Sequence, residues 1–232
     1  MTELTAYIKE KLLSAGADLV GIGSLTELPS NIRCGLPVGV SIAVKYPKDI
    51  IRGISEGPTK EYHEYYDLLN DKLDKLVSLG ADALKVLGYQ AVPQTREYVR
   101  QFTTGNISML PHKTVATRAG LGWIGKCALL VTEDYGSMIR ISSILTDAPL
   151  DTAAPINESK CGACNICTNA CPAGAITGKN WDVNVYRDEF YDADACSRTA
   201  KARSKAAFGL EVSLCGKCIE VCPYTRRYLK SE

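Results

Sequence analysis

Cys161, Cys164, Cys167 and Cys171 stand at the spacing C-x2-C-x2-C-x3-C, with Pro172 directly after the last. Thiolates at that spacing wrap an iron–sulfur cubane within a tight turn, and such clusters move single electrons at low potential. A second group follows: Cys196, then Cys215, Cys218 and Cys222, with Pro223 after it. Eight thiolates are enough for two [4Fe–4S] clusters. Gly162, Ala163 and Asn165 fill most of the first gaps. They are small or turn-tolerant, so the backbone can bend and present N–H groups to sulfide.

In two-cluster ferredoxins the fourth cysteine of the C-x3-C-P segment ligates the other cluster. One cluster is therefore expected on Cys161, Cys164, Cys167 and Cys222, and the other on Cys171, Cys196, Cys215 and Cys218. Cys196 lies far upstream of Cys215. Were it an inert buried thiol, the second cluster would be [3Fe–4S]. A zinc ribbon fits less well, because it uses paired C-x2-C. Disulfides fit less well again, because eight of the ten cysteines sit at cluster spacing near the end and no secretory signal precedes them. Cys34 and Cys127 lie outside the pattern and are expected to be small buried hydrophobes.

The elements that must position these thiols are legible from periodicity. Thr2 can cap a first helix carrying Leu4, Ile8 and Leu12. Leu19–Ile22 and Val38–Val44 read as strands. A long helix starts near Lys60, with Tyr62, Tyr65, Tyr66, Leu69, Leu73, Leu76 and Val77 along one stripe. Gly80 is expected to break it and Gly88 to cap it. Tyr89–Val92 reads as a strand and Pro111–Ala119 as a helix with proline in its first turn. Residues 127–132 and 137–145 are expected to pair as a hairpin. The proline-bearing stretch after 148 is the natural boundary, giving domains 1–152 and 153–232. Strands and helices mix without a regular βαβ rhythm, so the expected class is α+β.

The chain has 232 residues, with 46% hydrophobic and 23% charged residues and a formal net charge of +1. That balance is ordinary for a globular protein and gives no global pull toward nucleic acid or an anionic membrane. No run of about 18 apolar residues occurs, and the first residues show no export signal. A cytoplasmic protein without membrane contact is expected. The basic run Arg198–Lys205 is expected to be a solvated helix face.

Gly120, Gly122 and Gly125 fit G-x-G-x-x-G. A dinucleotide site requires a strand before those glycines and a helix after them. Here a helix precedes and a strand follows, so the motif is refused as a nicotinamide site. Close approach to a large flat ligand and a tight buried turn both remain open.

The segment RAGLGWIGK, Arg118–Lys126, followed by an apolar strand, Tyr135-Gly136-Ser137 and Ile144-Leu145-Thr146-Asp147, resembles the epoxyqueuosine reductase family. The resemblance spans about residues 60 to 226. Those enzymes are cobalamin-dependent and related to reductive dehalogenases. The resemblance implies a nitroreductase-like corrinoid-binding domain followed by a two-cluster ferredoxin-like domain. Electrons would pass from a ferredoxin- or flavodoxin-type donor through two clusters to a corrinoid that reduces the substrate. Arg118, Gly120, Leu121, Gly122, Trp123, Gly125, Lys126 and Ser137 would bind the corrinoid. The glycines would let the main chain approach it, and Lys126 and Ser137 would donate to its amides.

The family carries an aspartate proton donor about a dozen residues before the arginine. An ungapped count back from Arg118 reaches Asn106, and an amide is no general acid at ordinary pH. His112 is the candidate replacement, since its unperturbed pKa lies near neutrality. The chain ends soon after Cys222, where the family has an extension associated with tRNA. A small substrate is therefore expected and tRNA is not. An electron-transfer protein serving a partner's cofactor is the alternative. No residue selects a flavin.

Overall fold

The structure is a computed structural model and describes residues 1–105 and 107–231. In chain order the elements are α1 (Glu3–Ser14), β1 (Leu19–Ser24), β2 (Val38–Lys45), α2 (Lys48–Arg52), α3 (Lys60–Val86), β3 (Ala91–Pro93), α4 (Arg96–Arg100), β4 (Thr103–Thr104) and β5 (Ile107–Ser108). There follow α5 (His112–Arg118), β6 (Trp123–Ile124), β7 (Leu130–Val131), β8 (Ile139–Thr146), α6 (Ile166–Ala170), α7 (Ala193–Phe208), α8 (Lys217–Glu220) and α9 (Pro223–Lys230). The fold is α+β, as the lack of βαβ rhythm predicts. Among the described residues no helix is long and apolar enough to cross a membrane.

The chain divides into two compact units, each discontinuous in sequence. The first comprises Met1–Val44, Leu69–Gly122 and Arg140–Ile156. The second comprises Lys45–Leu68, Trp123–Ile139 and Asn157–Glu232. These are not two successive stretches meeting at 152/153. Packing recruits earlier segments to the cysteine-bearing part. Ile54 and Tyr62 lie against Gly216, and Trp123 meets Tyr224 edge-on at 4.8 Å between ring centroids.

The first unit is built on a sheet with strand order β1-β2-β8-β3. β1 and β2 are antiparallel with Gly21 opposite Ser41, and β3 runs antiparallel to β8 with Val92 opposite Leu145. Six successive residues of β2, Val38 to Ala43, are buried, as is Val44, the pattern of a strand covered on both faces. Thr2 caps α1, its side chain accepting from the Thr5 N–H. Ile8 and Leu12 are fully buried. α3 runs through Gly80 without the expected break. A Cβ there would stand 2.6 Å from Ile144 Cδ1, so glycine permits close contact with the sheet at a helix cost of about 1 kcal/mol.

In the second unit, β6 pairs antiparallel with β7, Trp123 opposite Val131. The expected hairpin between residues 127–132 and 137–145 does not form. Gly125 and Ala128 close the turn instead, through Gly125 N–H to Leu129 O and Ala128 N–H to Gly125 O, and β8 joins the sheet. α6 packs against α8. These two helices carry Cys167 and Cys218, so the two cysteine groups form one body.

Candidate metal centre and cofactor site

The two thiol groups begin with the same local geometry. Gly162 follows Cys161 with φ +53°, and Gly216 follows Cys215 with φ +75°. A left-handed residue after the first cysteine turns the chain so that the next thiol of C-x2-C returns to the same side. In α9, Pro223 occupies the first turn after Cys222, and the N–H groups of Tyr224 and Thr225 point at the Cys222 thiol. Ala175 N–H donates to Cys171 Sγ at 3.4 Å. Such N–H groups favour the thiolate.

All eight thiol residues are half-buried. Burial pushes Cys222 up, the N–H groups of Thr225 and Tyr224 oppose this, and the neighbouring Cys161 and Cys167 push it up further. Burial also pushes Cys196 up, the Tyr191 hydroxyl opposes this, and Cys171 and Cys215 add to the rise. Cys222 therefore keeps company with Cys161 and Cys167, and Cys196 with Cys171 and Cys215. A cavity is lined by Cys171, Cys196, Cys215 and Cys218, with Ile176 and Tyr191. Thiols gathered this closely repel one another once charged. Bound iron would supply the missing positive charge and hold them deprotonated. The donor set fits two cubanes. Among the described residues no three His, Cys, Asp or Glu side chains group as a single-ion site; a cubane takes one thiolate at each of four iron corners.

Two residues at this centre carry no spacing signal. The Tyr191 hydroxyl bonds Cys196, and burial with that bond holds its pKa well above the ordinary range. Cys127 is buried, as expected, but it touches both Cys167 and Cys218. It is a ninth thiol between one residue of each set. Cys34, by contrast, is exposed, in a left-handed conformation with φ 55°, and bonded to Tyr98 Oη at 3.3 Å. The buried position expected for it is not found.

The residues of the RAGLGWIGK segment fall in both units. In the first, Arg118 is buried, pairs with Glu27 and donates to Ile156 O at 3.0 Å. Gly120 is left-handed with φ +68°, and a Cβ there would meet Ala154 O at 2.9 Å. Leu121 fills the space beside Gly21. In the second unit, a Cβ on Gly125 would stand 2.9 Å from Val131 Cγ2, 3.6 Å from Cys127 Sγ and 3.7 Å from Cys161 Sγ. Gly120 and Gly125 are thus accounted for by the chain's own packing, and Gly125 opens room beside a cluster cysteine. Gly122 is buried. Lys126 is 3% exposed, and its Nζ donates to Asn165 Oδ1 at 2.9 Å, inside the first cysteine loop. Trp123 Nε1 and Ser137 Oγ are buried and have no hydrogen-bond partner among the described residues. They flank α9, Trp123 against Tyr224 and Ser137 N–H donating to Thr225 Oγ1 at 3.1 Å. Buried donors of this kind suit an acceptor-bearing ligand.

Asn106 lies outside the described residues. His112 is half-buried, with Nδ1 2.9 Å from Ser143 Oγ. Desolvation lowers its pKa to about 4, and the Arg140 guanidinium adds to this against an opposing Asp74. At neutral pH the ring is uncharged, so the environment opposes the proton-donor role expected for it. Of the tyrosine stripe, Tyr62 is 3% exposed and packs on Tyr46, which is a core role.

Residues 160–225 match the family described as "4Fe-4S double cluster binding domain". The epoxyqueuosine reductase of Aliivibrio fischeri is 29% identical over 163 residues, which is 70% of this chain and 40% of that protein. The epoxyqueuosine reductase of Bacillus subtilis is 30% identical over 164 residues, 70% of this chain and 38% of that protein. This chain resembles the epoxyqueuosine reductases. It spans about 40% of the length of those relatives. Two solved structures share the fold. A catabolic reductive dehalogenase in complex with 3-bromo-4-hydroxybenzoic acid superposes with a TM-score of 0.71 at 18% identity, over 94% of this chain and 31% of that chain. An epoxyqueuosine reductase with an epoxyqueuosine-modified tRNA-Tyr stem loop gives 0.63 at 21% identity, over 97% of this chain and 66% of that chain. The expectation that tRNA is not a partner is overturned by these relatives, one of which holds a tRNA stem loop. That expectation rests on where the chain stops, and an end point says nothing about what a surface binds.

Proposed function

We propose that the chain is an iron–sulfur reductase of the epoxyqueuosine reductase kind, using a corrinoid and acting on an epoxide-bearing tRNA nucleoside. The observation that carries this reading is the gathering of the thiols in two sets, Cys222 with Cys161 and Cys167, and Cys196 with Cys171 and Cys215. When bound, the clusters would deliver single electrons and the corrinoid would supply the reducing metal centre. The chain's own part is to hold, insulate and orient. Reduction of an epoxide to an alkene consumes two electrons and two protons and releases water. Two clusters, held by the eight thiols, would supply those electrons singly. Trp123 Nε1 and Ser137 Oγ, buried donors lacking acceptors, are the residues that would meet the corrinoid's amide oxygens. His112, uncharged at neutral pH, does not supply the protons.

The packing of Gly120 and Gly125 onto the chain itself favours one second reading, electron transfer to a partner's cofactor. Anaerobic reconstitution with iron and sulfide, followed by addition of cobalamin and an epoxyqueuosine-modified tRNA stem loop, separates the two. Two clusters, a bound corrinoid spectrum and product nucleoside support the first. Two clusters without bound corrinoid support the second. Zinc in place of iron refutes both.

A further inference from the structure

Lys126 is an unusual group to find beside an iron–sulfur loop. It is 3% exposed, and a buried ammonium is stable only where negative charge or good acceptors offset its desolvation. Its hydrogen-bond partner is the neutral amide oxygen of Asn165, at 2.9 Å. Asn165 lies between Cys164 and Cys167, and the neighbouring Gly125 comes close enough to Cys161 that an added Cβ would stand 3.7 Å from its sulfur. Among the described residues no carboxylate pairs with it; its bond is to the Asn165 amide. A [4Fe–4S] cluster with four thiolates carries a net charge of about −2 when oxidised and one unit more when reduced, and it would supply that charge at this place.

At the other thiol set a lysine has a different partner. Lys217 lines the cavity of Cys171, Cys196, Cys215 and Cys218, but it is paired with Glu220 at 3.0 Å. Glu220 also takes Arg226 at 2.8 Å. Lys217 has a carboxylate partner, shared with Arg226, whereas the hydrogen bond of Lys126 goes to an amide.

We propose that Lys126 is a positioning residue for charge: its buried ammonium raises the reduction potential of the cluster on Cys161, Cys164, Cys167 and Cys222, making that cluster the electron sink of the pair. The step is the addition of one electron to an oxidised cluster, from a low-potential donor, with no proton taken up. The added negative charge is stabilised by the ammonium, so removing the ammonium disfavours the reduced form. The proposal rests on the two-cluster reading.

The test is a potentiometric titration of the reconstituted holoprotein, followed by EPR. A Cys196→Ala background identifies the signal of the first cluster. Lys126→Met should lower the reduced-to-oxidised ratio of that cluster about tenfold at a fixed potential, which is about 59 mV for one electron. Lys126→Gln should do the same and Lys126→Arg should restore the ratio. Asn165→Ala, which removes the hydrogen bond and keeps the charge, should move it less than about threefold. An unmoved ratio in Lys126→Met, an equal shift in Asn165→Ala, or a shift confined to the second cluster overturns the proposal. So does failure of both Lys126→Met and Lys126→Gln to take up iron while Lys126→Arg does, since the lysine would then be structural. Full iron with an unmoved ratio refutes the tuning role alone, whereas absence of any cluster signal in the parent protein refutes the two-cluster reading as well.

Discussion

Gly136→Ala tests the coupling between the turn before β8 and the cluster cysteine at the start of α9. Gly136 has φ +58°, and a Cβ there would stand 2.2 Å from Thr225 N, 2.4 Å from Thr225 Oγ1 and 2.7 Å from Thr225 Cα. Gly209, the C-cap of α7, is also left-handed with φ +81°, but nothing lies within 4 Å of the added atom. Alanine at Gly209 therefore meets only the backbone penalty, about 1–2 kcal/mol. Alanine at Gly136 meets the same penalty plus an overlap with main-chain atoms, which cannot rotate aside as a side chain can. Overpacking of that kind adds about 1–3 kcal/mol, for a total near 4 kcal/mol. Relief requires the first turn of α9 to move, and Cys222 with it. Anaerobic reconstitution followed by iron and sulfide analysis, EPR and denaturant unfolding reads all of this. Gly209→Ala should keep both clusters and unfold slightly earlier. Gly136→Ala should lose the cluster of Cys161, Cys164, Cys167 and Cys222 and unfold much earlier. Equal destabilisation with full iron in both variants would refute the reasoning.

Further expectations follow from the same geometry. Cys196→Ala should reduce the second cluster to a three-iron form or remove it while the first stays intact; full iron in the variant would return Cys196 to an inert thiol. Stability should depend on pH through His112. Its folded pKa of about 4 lies below the unfolded value of about 6.5, so the unfolded chain takes up the proton first. Stability is then fully present above pH ~6.5, falls as the pH drops through the window to about 4, and levels off below it. The loss between pH 7 and pH 5 should be at most about 2 kcal/mol, and His112→Gln should flatten it in urea unfolding; an unchanged slope would count against the shift. Trp123→Phe and Ser137→Ala should each weaken cobalamin binding about tenfold if they donate to its amides, measured by visible titration, with iron content unchanged.

The double-cluster segment was the most legible part of this protein, because two-residue and three-residue gaps between cysteines confine where a thiol can reach. The helix from Lys60 was equally plain, since its apolar stripe persists for several turns. Gly80 misled because a glycine inside a helix can mark either a break or a close contact, and Ile144, far along the chain, decides which. The strand after Lys126 misled for a related reason. Residues 127–132 are apolar whichever neighbour they pair with, and the turn at Gly125 and Ala128 selects β6.

Local spacing determined which cysteines form loops, which segments coil, and why the glycine motif cannot cradle a dinucleotide, because each of these depends on atoms a few bonds apart. Tertiary structure alone decided that Tyr191 bonds Cys196, that Cys127 sits between the two thiol sets, and that Lys126 is buried against Asn165. Those placements depend on which distant surfaces exclude water together, and no spacing along a chain encodes the distance between two points that meet only after it has folded.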